Sequence, residues 1–87
     1  MEILQYQAEV DNCIDNLVIK LQKACPEKAI SRNNFKEIVL NFTSLEELNS
    51  YLIYATNQGV SIKDAVICSD AFFNLRWEQL VALVNNI

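Results

Sequence analysis

Residues 44–61 read SLEELNSYLIYATNQGVS, and this stretch decides the fold. It opens on Ser44 with Glu47 three residues on, the capping-box pattern that starts a helix. Thr43 with Glu46 offers the same pattern one residue earlier. Leu45, Leu48, Leu52 and Ala55 then return every three or four residues, the spacing of one helix face, and Tyr51, Ile53 and Tyr54 broaden the stripe. Gly59 falls where a left-handed C-cap closes such a helix, with Val60 placed to pack back on Ala55. Ser61, followed by Asp64, opens the next one.

The rest of the chain repeats this grammar. Gly59 is the only glycine and Pro26 the only proline among 87 residues, which leaves little to build a loop-rich or hairpin-rich fold. A first helix is expected from about Ile3 to Ala24. Its apolar residues step by three and four through Ile3, Tyr6, Val10, Cys13, Ile14, Leu17, Leu21 and Ala24, and Val18 and Cys25 widen the stripe to an arc of about 140°. Leu4 and Ile19 fall outside that arc. Pro26 ends the helix, because the residue before a proline disfavours helical geometry.

A second helix begins after Ser31, with Ile30 and Phe35 positioned as a hydrophobic staple and Phe35, Ile38, Val39 and Phe42 as its buried face. A short fourth helix runs from Ser61 to about Cys68. Ser69-Asp70 reads as a break, and a fifth helix follows from about Ala71 to Asn85; a single bent helix from Ile62 onward is the alternative. No segment alternates with the two-residue period of a strand, and there is no internal repeat. The expected fold is all-α, with residues 1–87 forming a single helical domain, a compact bundle of four to five short helices.

Composition narrows the function more by exclusion than by assertion. With 52% hydrophobic residues the chain has ample core material, and at this length such a share suggests a surface reserved for a partner. The net charge of −4 argues against nucleic acid and anionic membrane as partners. Acid gathers before residue 20 (Glu2, Glu9, Asp11, Asp15) and base between Lys20 and Lys36, a polarity that complements the dipole of a first helix. Cys13, Cys25 and Cys68 are an odd set without metal spacing, and read as free, mostly buried thiols of a reducing compartment. The opening MEILQYQAEVD lacks the layout of a signal peptide, and the longest apolar run, Leu80 to Val84, is too short to cross a bilayer. The expected location is the cytoplasm.

No catalytic constellation emerges. The chain has no histidine, so neither a Ser-His nor a Cys-His nucleophilic pair can form within it. Asp11 and Asp15 lie one helical turn apart and Glu46 and Glu47 are adjacent, yet a di-metal bundle usually adds a Glu-x-x-His pair. These carboxylates read as a solvated face and a helix first turn. A glycine-rich phosphate loop cannot be built on one glycine. No catalytic residue, metal site or cofactor is expected.

Ala55-x-x-x-Gly59-Val60-Ser61 resembles the turn of helix-turn-helix DNA-binding domains, where a small residue precedes a glycine by four and a capped second helix follows. The resemblance implies a reading helix from Ser61 to about Ser69. That segment carries one Lys and one Asp, and no Arg, Asn or Gln for base edges.

The stronger surface is the fifth helix. Phe73, Trp77, Leu80 and Val84 make its core stripe. Phe72, Leu83 and Ile87 widen the apolar arc to about 180°, beyond the ~100° that one core contact uses. Arg76 interrupts that extension, as binding hot spots often do, or lays its stem over core residues and keeps its charge wet. The expected function is that of a small protein–protein interaction module: an adaptor, regulator, immunity-type inhibitor or chaperone acting by helix-face contact. Phe72, Arg76 and Leu83 are its expected anchors, and its partner is another protein or a second copy in a homodimer. A DNA-binding regulator built on the Gly59 turn is the alternative.

Overall fold

Three serines start three of the helices. Ser31, Ser44 and Ser61 each hold extended backbone, and their hydroxyl oxygens accept from the N–H groups of Asn34, Glu47 and Asp64 at 3.1–3.2 Å. Each cap satisfies a donor that the first helical turn leaves unpaired. The helices they open are α2 (Arg32–Phe42), α3 (Leu45–Asn57) and α4 (Ile62–Ile67); α1 (Gln7–Ala24) precedes them and α5 (Leu75–Asn85) follows. The computed structural model describes residues 5–73 and 75–87, and among these there is no strand. The expected all-α, single-domain bundle is the fold, measuring 37 × 28 × 18 Å.

Helix α1 is the central element. It packs against α2, α3, α4 and the turn that follows α4, while α5 packs against α2. Val10, Cys13, Ile14, Leu17, Val18 and Leu21 bury one side of α1 completely or nearly so. They share a core with Phe35 and Val39 of α2, Leu48 and Leu52 of α3, and Leu80 and Val84 of α5. Each such side chain contributes about 1.5–3 kcal/mol over its exposed state, so the core rather than helix propensity carries the fold. Ile19 is exposed, as its place on the wheel requires.

Several boundaries differ from the pattern. Ile3 and Leu4 lie outside the described residues. Gln5 and Tyr6 form a turn, and α1 begins only at Gln7. The Tyr6 N–H donates to the Asn49 side chain at 2.9 Å, a contact with α3 that holds Tyr6 out of helical geometry. Ala24, expected on the buried stripe, is exposed at the end of α1. The alternative start at Thr43 is unused; its side chain is buried and donates instead to Glu47 at 3.0 Å.

The largest difference lies between α4 and α5. The chain neither bends through one helix nor resumes helix at Ala71; Ser69–Phe72 form a 3-10 turn. Phe73 N–H bonds back to Asp70 at 3.1 Å, closing the tighter winding. This turn aims Phe73 into the core and Phe72 at the α3 surface. Two side chains from α1 stabilise the approach. Asn16 donates to the carbonyls of Val66 and Ile67 at 3.2 and 3.1 Å, and Lys20 donates to Ile67 at 2.8 Å while pairing with Asp70. They satisfy the last carbonyls of α4 and place positive charge at its negative end.

Gly59 has φ +90°, and its N–H bonds to Thr56 while that of Val60 bonds to Ala55, both at 3.1 Å. This is the Schellman closure of α3. Val60 itself remains exposed.

Candidate functional site

Helix α3 turns two faces outward from one another. Leu48, Leu52 and Ala55 point into the core, which leaves Glu46, Ser50 and Tyr54 on the outer side, with Glu47 and half-buried Tyr51 on the flank between. The 3-10 turn brings Ala71 and Phe72 against this side, and α5 adds Arg76 at one end. Between them lies a groove of about 800 Å³, within the range of ligand-sized clefts.

Aromatic rings form its floor. Phe72 stands 5.1 Å from Tyr51, ring centre to ring centre, and 5.6 Å from Phe73, which in turn contacts Trp77 at 6.3 Å. The series runs from the core outward, so the groove floor is anchored to the interior. Tyr51 is fixed further by its hydroxyl, which donates to the Ala65 carbonyl at 2.7 Å. Burial raises the Tyr51 pKa, with nearby Cys13, Cys68 and Asp70 adding to the shift. Tyr54, expected to broaden the buried stripe, is 66% exposed at the groove edge. The helical wheel places it beside Tyr51, and no element among the described residues covers that flank.

Arg76 is committed to the fold. Its guanidinium donates to the Phe42 carbonyl, stands 3.8 Å from Glu47 and lies 5.5 Å over the Phe73 ring. It closes the groove where α2 gives way to α3. Phe72 lines the same groove, so the structure brings two of the three expected anchors together. Leu83 does not line it; it is 45% exposed farther along α5. Sequence reasoning missed Tyr54, Glu46 and Ser50, whose only outward sign was their position opposite the Leu48–Leu52 stripe.

A second, smaller hollow of about 380 Å³ lies between α1 and α4, lined by Ile62, Val66, Ile67, Asn12, Glu9 and Lys63. The helix after the Gly59 turn has only six residues, with Lys63 as its one cation. Lys20 is occupied by Asp70, and Arg32 pairs with Asp15 at 3.5 Å. Among the described residues no three Cys, Asp or Glu side chains gather to hold a metal ion, and no helix is long and apolar enough to cross a membrane. The cysteines are unpaired, with Cys13 and Cys25 buried and Cys68 exposed. No protein-family model, curated protein or solved structure matches the chain.

Proposed function

We propose that the protein is a small helical interaction module, of the adaptor, regulator, inhibitor or chaperone kind, that binds a segment of another protein in the groove between α3 and the 3-10 turn. The observation that carries this reading is the aromatic floor: Tyr51, Tyr54 and Phe72 share one open, ligand-sized depression. One exposed ring, Tyr54, beside two half-buried ones, Tyr51 and Phe72, makes the kind of aromatic anchor that interfaces favour. Action by contact rather than catalysis fits a chain without histidine. An exposed free Cys68 suits a reducing compartment such as the cytoplasm.

The test is co-purification of a partner in fixed ratio with the wild-type protein and with Tyr54→Asp. The variant retains its helical circular dichroism and loses the partner; full retention of the partner contradicts the reading. A homodimer through α5 is the second reading, favoured by the exposure of Leu83 and Ile87. Sedimentation equilibrium checks it: a dimer that Leu83→Asp converts to monomer supports it, and a wild-type monomer refutes it.

A further inference from the structure

From the charges left at the groove, we infer that its occupant is a basic amphipathic helix of another protein, with an apolar anchor on the Tyr54–Phe72 floor and a Lys or Arg reaching Glu46. This inference rests on the docking groove proposed above and specifies its partner. The rim carries two carboxylates, Glu46 and Glu47, and one guanidinium, Arg76. The guanidinium is already used by the Phe42 carbonyl, Glu47 and the Phe73 ring. Thr43 also donates to Glu47. Among the described residues nothing pairs with Glu46, which is exposed at the groove rim. A cation arriving there meets an unmatched carboxylate, and its aliphatic stem meets aromatic faces.

The fold also restricts the form of the occupant. No strand edge exists among the described residues, so a partner cannot add by main-chain pairing and is read through its side chains. The groove face of α3 runs from Glu46 to Tyr54, about 12 Å at the helical rise, enough for about two turns of a docked helix. A second copy of this chain is the competing occupant, since exposed Lys23 lies one turn from exposed Ile19 on α1 and exposed Lys63 one turn from exposed Ile67 on α4. Shifts of residues 46–54 on concentrating the protein alone would identify it and overturn the inference.

The experiment uses three synthetic helical peptides of about four turns. One carries a Leu/Phe stripe flanked by Lys, the second the same stripe flanked by Glu, and the third the Lys peptide in shuffled order. Each is titrated into the full chain and followed by amide NMR shifts. The Lys-flanked peptide is expected to shift residues 46–54 and 71–72 and to bind about tenfold more tightly than the other two, with Glu46→Lys removing about that factor. Glu46→Gln serves as the milder variant if Glu46→Lys perturbs the helix.

Equal binding of the Lys and Glu peptides, both lost in Tyr54→Asp, overturns the cationic preference while the groove stands. Equal binding of the shuffled peptide reduces the effect to general attraction by an acidic chain and also overturns it. No binding, or shifts confined to another face, overturns both the preference and the groove.

Discussion

Arg76 of α5 donates a hydrogen bond to the backbone carbonyl of Phe42, the last residue of α2. A helix leaves its final carbonyls without partners, and a cation there meets both the open acceptor and the negative end of the dipole. Because Glu47 stands 3.8 Å from the same guanidinium, one side chain joins the end of α2, the start of α3 and the start of α5. Of these, α3 and α5 line the groove, together with the 3-10 turn. Arg76 is therefore a positioning residue whose stem and charge shape one end of the site.

Removing this tie loosens the junction. Arg76→Ala is expected to lower stability by about 1–2 kcal/mol, the worth of a charge-assisted hydrogen bond that remains partly in water. Arg76→Lys recovers only part of the loss, since an ammonium cannot serve the carbonyl, Glu47 and the ring with one planar group. Urea unfolding of the three proteins checks the order.

Gly59 isolates a backbone effect. Nothing lies within 4 Å of where a Cβ would stand, so a side chain there meets no obstacle. The positive φ alone resists substitution. Gly59→Ala is expected to cost about 1–2 kcal/mol and Gly59→Asn less, because Asn tolerates this region better. Equal costs for the two in thermal unfolding would show that contacts, not φ, set the penalty.

The thiols differ in access. Iodoacetamide under native conditions is expected to label Cys68 alone, with Cys13 and Cys25 reacting only after unfolding, as mass spectrometry of the intact protein will read. Burial pushes the Cys13 thiol from its usual 9.0 up to about 11; Glu9 adds to the rise and a hydrogen bond with Ser69 offsets part of it. Above pH 9 the unfolded thiol ionises while the folded one keeps its proton. The stability this group contributes is therefore whole below pH 9 and declines as pH climbs toward about 11. Tyr51, also raised, acts in the same direction and loses its bond to Ala65 on ionising. Urea midpoints below pH 9 and near pH 11 should diverge less in Cys13→Ala than in the wild type.

The helices were legible because their signals are local. Ser31, Ser44, Ser61 and Gly59 act within a few residues of themselves, and the structure uses each as the spacing implies. The 3-10 turn was visible only as a break at Ser69-Asp70, since its course depends on Asn16 and Lys20 from a helix about fifty residues earlier. The groove was half legible. Phe72 and Arg76 stood out on the expected fifth helix, but the facing wall belongs to α3, and periodicity within one helix does not say which neighbour covers its flank. Tyr54 shows the limit: counted with the buried stripe for its large ring, it sits nearly opposite Leu48 and Leu52 on α3 and stays exposed.

The central claim, that the α3 groove is where a partner protein sits, is tested most directly by photo-crosslinking in the source cells. A benzoylphenylalanine is placed in turn at Tyr54, Leu83 and Asn33, which report on the groove, the outer flank of α5 and the polar face of α2. The groove account predicts a discrete protein adduct from position 54 and none from positions 83 and 33. An adduct from 83 or 33, with position 54 silent, contradicts it.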